Sequence, residues 1–436
     1  MNRSLCNCDF LRCLAHVVGR ALRYWALTAL LLLLLLTLTV EGPAPGDLDP
    51  QIKRMVSSYR FNFVGWEITA GWGKLTHALV VPQRYMDAAS RHDFLLDYLR
   101  LIGEIQQQTW DIHQVYVDPA EEDPDAATAG MRARLAQLRE EQQAHQALAE
   151  AILEEQTACT LNAAGFGVLG QQIPPVGLHF TPLPTLLIVS PRDHIERILA
   201  LDLQPGLDAA QREAIESKID ADYNVSSLIT NIGGLSAYPA MILESSSLNW
   251  VTEVAAHEWT HHYLTPHPLG WNYNAHPDTR TINETVASIV GKEIGRETIA
   301  RYYPEYLPAE PSPTEGGAAY EGAETPPPFD FQREMHTTRV RVDELLAAGR
   351  IEEAEAYMES RRQEFVAHGY PIRKLNQAYF AFYGAYADEP GAAGADPIGP
   401  LVQELRRRSD RLHDFVRRIA SVTTRAELEE LLKQLP

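Results

Sequence analysis

The chain has 436 residues, 45% of them hydrophobic, and 38 Lys and Arg against 58 Asp and Glu give it a net charge of −20. That balance excludes nucleic acid as a partner, because neutralising phosphate needs Lys and Arg clustered on one face. With 22% charged residues beside this apolar content, the composition is globular and not disordered. Of the four cysteines, Cys6, Cys8 and Cys13 crowd the N-terminus and Cys159 stands alone, so a disulfide scaffold is not expected.

The first element is an expected membrane anchor. Tyr24–Val40 carries no charge and, as a helix, spans roughly 25 Å, the short end of what a bilayer requires. Arg3, Arg12, Arg20 and Arg23 precede it while Glu41, Asp47 and Asp49 follow, which orients residues 1–23 to the cytoplasm. The expectation is a single-pass protein held in the lipid bilayer with the chain beyond Val40 extracytoplasmic. A cleaved signal peptide is the rival reading, but no small-residue cleavage site follows Val40.

After a linker at 41–50, residues 51–165 read as a helical region. Phe94, Leu95, Tyr98, Leu99 and Ile102 form one apolar face, the DPAEEDPDAATAG stretch breaks the pattern, and a charged amphipathic helix resumes over 130–160. This predicts an antiparallel helical hairpin. Residues 166–303 change texture, with short apolar runs PTLLIVSP, RILALDLQP and SLITNIGGLSAYPAMIL read as strands. Helices are then predicted from Asn249 to Leu264 and from Thr281 to Tyr302. Residues 304–329 form a Pro-, Glu- and Gly-rich insert, and 330–436 is helical again. The expected fold class is mainly α with a small β segment (α+β), two packed helices and short antiparallel strands forming the core.

The chemistry is carried by His257-Glu258-Trp259-Thr260-His261. Histidines at i and i+4 share one face of a helix, so both imidazoles can reach a single Zn²⁺, and Glu258 stands beside them as a candidate general base. Glu284, near the start of the following helix, supplies a third ligand in a two-His, one-Glu set that leaves a fourth position open. Glu293 and Glu297 are alternative carboxylates further along that helix. His267 is a rival third ligand at the spacing of the metzincin pattern, but that pattern needs glycine where this chain has Leu264.

HEWTH followed by NETVA resembles the gluzincin class of zinc peptidases, whose third ligand is a glutamate on the next helix. More narrowly, GGLSAYPAMI, AAHEWTHHYL and INETVASIVG, with KLNQAYFAFYGAYA later, resemble a bacterial family of predicted aminopeptidases. The resemblance covers roughly residues 225–300 and a patch near 370–390. It implies a zincin-like catalytic core, zinc as cofactor, and a peptide or protein substrate. One departure stands out: thermolysin-like enzymes often carry an acidic residue four positions after the ligand glutamate, and here that position is Ser288.

In gluzincins an edge strand above the metal pairs with the extended substrate backbone. Asn231–Met241 is the candidate here, with Gly233, Gly234, Ala237 and Tyr238 as substrate-binding residues. Glu244, just beyond, is a candidate for holding a free α-amine. For the donor to the tetrahedral oxyanion, Tyr379, Tyr383 and Tyr386 share one predicted helix face, with Tyr383 the first choice and His336 a second candidate. The expected function is a zinc metallopeptidase with a Glu general base, in the aminopeptidase direction by resemblance. The alternative is a zinc-stabilised scaffold without turnover.

Overall fold

The computed structural model describes residues 48–78, 82–118, 120–168, 171–307, 329–389 and 391–435. Helix α1, Leu48–Met55, belongs to a unit that ends at Met55, and the chain from Val56 onward forms a second unit. The rest of the description concerns that second unit, into which the three regions expected from the sequence pack together.

Its first layer is helical: α2 (Phe63–Ala78), α3 (Ala88–Val117) and α4 (Pro124–Ala163). Asp87 and Asp123 start α3 and α4 by accepting the backbone N–H of Ser90 and Ala126. The two long helices fold back on each other as the expected hairpin, burying Leu95, Tyr98, Ile102 and Ile105 of α3 against Leu138, Ile152 and Leu153 of α4. Within the helical region expected from residue 51, the chain ahead of α3 is divided, with 3₁₀ turns at Ser57–Tyr59 and Pro82–Tyr85.

Among the described residues eight strands follow in chain order: β1 (Gly167–Val168), β2 (Gln171–Gln172), β3 (Leu178–Phe180), β4 (Thr185–Pro191), β5 (Leu199–Leu203), β6 (Val225–Asn231), β7 (Gly234–Leu235) and β8 (Ala240–Ile242). Helix α5 (Ala209–Tyr223), started by an Asp208–Gln211 capping box, crosses from β5 to β6. β4 is central in an antiparallel sheet, ordered β5–β4–β6, and β8 is central in a mixed sheet, ordered β3–β8–β7. The expectation of antiparallel strands fails at one pair: β3 and β8 run parallel. A parallel pair needs a long crossover, and the whole excursion from β4 through β7 supplies it.

Helix α6 (Leu248–Leu264) begins where Ser247 accepts the N–H of Trp250. It buries Val251, Ala255 and Trp259 on one stripe. After the short α7 (Pro268–Trp271), α8 (Pro277–Tyr302) runs beside α6 and is buried on nearly every side. The two helices approach closely because α8 carries glycine at the crossing. A Cβ on Gly295 would stand 2.9 Å from the Glu253 backbone, and one on Gly291 would stand 3.2 Å from His257 Cβ. The C-terminal helices are α9 (Phe331–Ala347), α10 (Ile351–Ala367), α11 (Gln377–Tyr383), α12 (Ile398–Arg407), α13 (Leu412–Ile419) and α14 (Arg425–Lys433). α12–α14 bury Val402, Phe415 and Ile419 in one core with Trp259, Val286 and Val290, while α11 lays Ala378 and Ala381 on Ile188 and Leu228 of the sheet. The fold is α-dominant α+β.

The membrane expectation is corrected. Among the described residues no helix is long and apolar enough to cross a membrane. Tyr24–Val40, which carried the expectation, lies outside the described residues, as do most of the 304–329 insert and the N-terminal cysteines. The single-pass topology, the bilayer as partner and the extracytoplasmic assignment are therefore not carried forward.

Candidate metal centre

α6 and α8 bring three side chains to one point. His257 and His261 share the α6 face turned to α8, with Nε2 atoms 3.1 Å apart. Glu284, two turns into α8, places Oε2 at 3.5 Å from His257 Nε2 and 3.6 Å from His261 Nε2. Two nitrogen lone pairs and a carboxylate oxygen facing one another repel unless a proton or cation lies among them. Glu284 Oε2 is buried with no hydrogen-bond partner. Ligand atoms at zinc bond lengths around a tetrahedral ion stand about 3.4 Å from one another, so the triangle fits such an ion without rearrangement. His257, His261 and Glu284 form the candidate metal group among the described residues.

The charges agree with this arrangement. Burial alone would raise the Glu284 pKa, but the His261 and His257 imidazoles hold the carboxyl well below its ordinary range. Burial would lower His261, and Glu284 reverses this and lifts it to about 9, so a cation at Nε2 displaces a proton that the same carboxylate favours. Glu284 Oε1 accepts the hydroxyl of Tyr273. His261 Nδ1 faces Asn283 Oδ1 at 2.7 Å, which selects the Nδ1–H tautomer and leaves Nε2 free to ligate. Asn283 in turn donates to the Leu269 carbonyl at 3.2 Å. The orientation that Ser288 cannot supply as an acidic residue is supplied by Asn283, the residue directly before the ligand glutamate.

Glu258 is 5% exposed and lies beside the triangle, lining a cleft of about 600 Å³. Ser236 donates to its Oε2 at 2.6 Å. A Cβ at Gly234 would fall 2.2 Å from its Oε1. The carboxylate is thus clamped by β7 and the loop that follows it. Gly234 and Ala237 line the cleft; the expected edge strand Asn231–Met241 is divided, with β7 at the sheet edge and Ala240 and Met241 in the central β8. Gly234 serves Glu258 directly, whereas its sequence role was to admit substrate. Gly233 lies against the Trp250 ring, and Tyr238 is 52% exposed with its ring edge on His262, so neither lines the cleft.

Several other candidates are committed elsewhere. The His267 ring packs on Tyr263 at the start of α7, and Glu293 pairs with Arg406. Glu297 pairs with Arg301, and Glu244 bonds Arg139 and Gln142. His336, on α9, does not line the cleft. Tyr383 is corrected as the oxyanion donor: its hydroxyl lies 3.0 Å from Thr230 Oγ1 and it does not reach the cleft. Helix α11 ends at Tyr383, so Tyr386 leaves the helical face, lines the cleft and stacks near His257 with ring centroids 6.2 Å apart. Burial, then Glu284, pushes the Tyr386 pKa well above its ordinary value, which keeps the hydroxyl a donor. Sequence reading missed Asn283, Ser236 and Tyr273 altogether. Only Asn283 carried a usable signal, its place inside the N-E-x-x-A motif.

No protein-family model, no curated protein and no solved structure matches the chain.

Proposed function

We propose that the protein is a zinc metallopeptidase that hydrolyses peptide bonds. The observation that carries the reading is the triangle of His257 Nε2, His261 Nε2 and Glu284 Oε2, with the clamped carboxylate of Glu258 beside it. Zinc, when bound by these three residues, supplies Lewis acidity that polarises a carbonyl and acidifies water to a pKa of about 7.

The remaining work falls to side chains of this chain. Glu258 takes a proton from the attacking water and returns it to the leaving amine. Tyr386, protonated and facing the cleft, donates to the oxygen of the tetrahedral intermediate. The free edge of β7 accepts extended substrate backbone by strand addition, which suits peptides better than compact small molecules.

The test uses purified full-length protein and its Glu258→Gln variant with a mixed peptide library read by mass spectrometry. The wild type should cleave in a chelator-sensitive way. The variant should keep its zinc and lose about 10²–10⁴ in rate. Loss of single N-terminal residues would mark an aminopeptidase, as the motif resemblance implies, and internal cuts an endopeptidase. Cleavage that survives a chelator, or equal cleavage by both proteins, overturns the reading. Stoichiometric zinc with no cleavage by either leaves the scaffold alternative.

A further inference from the structure

Beside the metal triangle lie two guanidinium groups that form no ion pair with a carboxylate among the described residues. Arg280 sits on α8 one turn before Glu284 and is only 9% exposed. Its Nη2 donates to the Ala381 carbonyl at 3.3 Å, and its Nε is buried without a partner. Arg197, in the loop from β4 to β5, lines the cleft, lies 5.6 Å from the centroid of the Tyr273 ring and donates to Asn274 Oδ1 at 2.7 Å. Among the described residues neither arginine makes an ion pair. Burial, then the field of Arg197, lowers Arg280 to about 10, so the two cations lie within electrostatic reach of each other.

The nearby carboxylates do not resolve this. Glu284 already serves His257, His261 and Tyr273. Asp202, on β5, also lines the cleft and feels the charge of Arg197, but it forms no ion pair or hydrogen bond with either arginine. A buried cation without a partner is costly, and two of them in one field are costlier. A half-buried guanidinium open to a cleft is also the side chain best shaped to take a carboxylate in a forked pair.

We infer that Arg197, backed by the positive field of Arg280, receives a carboxylate of the substrate. The word substrate rests on the peptidase reading above; the anion site does not. One tyrosine ring separates Arg197 from Glu284, because the Tyr273 hydroxyl bonds Glu284 while Arg197 lies over the ring. That distance is the reach of about two residues of extended chain, ~7 Å. The carboxylate is therefore either the C-terminus of a peptide cut near its end or an acidic side chain within two residues of the cut.

Three matched peptides distinguish these sources: one with a free C-terminal carboxylate and neutral side chains, its C-terminal amide, and the amide carrying one glutamate. Steady-state kinetics on the wild type should give a KM at least about tenfold lower for one carboxylate-bearing peptide than for the plain amide, from a charge-assisted pair. Arg197→Gln should collapse that ratio, and Arg197→Lys should restore part of it. In parallel, titration calorimetry of N-acetyl-dialanine and its amide reads the site without turnover. The acid should bind more tightly to the wild type and not to Arg197→Gln. Equal KM values and equal binding for acids and amides in the wild type overturn the inference, whatever the variants do, and so does a preference that survives Arg197→Gln. Acid-selective binding with no cleavage would overturn the peptidase reading alone.

Discussion

The tightest contact at the centre is also the easiest to perturb without touching a reacting group. In Gly234→Ala the new Cβ would stand 2.2 Å from Glu258 Oε1, 2.8 Å from Cδ and 2.9 Å from Cγ, where ordinary contact begins at 3.4 Å. The carboxylate must retreat by more than about 1 Å, and Ser236, bonded to its other oxygen at 2.6 Å, resists the retreat. Misplacing a catalytic group by about 1 Å costs about 10²-fold, so kcat/KM should fall by about that factor. Stability should change little, because the strain is relieved by one side chain at the cleft wall. Zinc content should stay stoichiometric, since neither Gly234 nor Glu258 ligates. The assay pairs metal analysis and circular dichroism with peptide turnover. Activity within about threefold of wild type would refute the clamp, because no general base shifted that far retains its function.

Other perturbations read different parts of the structure. Asn283→Ala removes the partner of His261 Nδ1 and should weaken zinc binding about 10–100-fold in a chelator competition, with Glu284→Gln weakening it further. Glu216, fully buried, bonds Arg373 and Lys374. Glu216→Gln should cost about 2–3 kcal/mol in urea unfolding, below the 3–5 of a wholly buried pair because both partners keep contact with water. Burial would raise the carboxyl of Glu150, but His179 and Lys74 outweigh it and hold the pKa below its ordinary 4.5. Its stabilising contribution is therefore complete above pH 4.5 and is lost as pH falls through the lower folded value. The destabilisation by Glu150→Gln should accordingly be full near neutrality and shrink below pH 4.5, as urea midpoints across pH would register.

Much of the architecture was readable because it is local. Apolar runs bounded by proline mark β4 and β5, and the stripe Val251, Ala255, Trp259 marks α6. The periodicity starts α8 at Thr281, whereas the helix begins at Pro277, with His276 accepting the N–H of Asp278. Proline at the first helical position is a start signal, and it was available. The parallel pairing of β3 with β8 was not available, since it depends on how far the chain travels before returning. The same division holds at the centre. His257, Glu258 and His261 follow from the period of one helix, and Glu284 from the helix after it. Asn283 gains its role only from the crossing of α6 and α8. Tyr386 reaches the cleft only because α11 stops at Tyr383, where a helical period read onward from Tyr379 no longer applies.

The placement of Glu258 bears on how binding and chemistry are joined. The groups that hold its carboxylate, Gly234 and Ser236, lie on β7 and the turn after it, and His262 of α6 ties the same segment down through the Ala237 carbonyl at 2.7 Å. β7 is also the free edge that the proposed function assigns to substrate backbone. A strand that gains a partner is straightened and stiffened along its length, so a peptide pairing with β7 would tighten the clamp on Glu258 in the same event. A ligand that entered the cleft without pairing would meet a base held by one serine and a close contact alone. Selection for extended peptide over other carbonyl compounds would then be expressed in turnover as well as in binding, because the orientation of the proton acceptor is part of what the peptide backbone supplies.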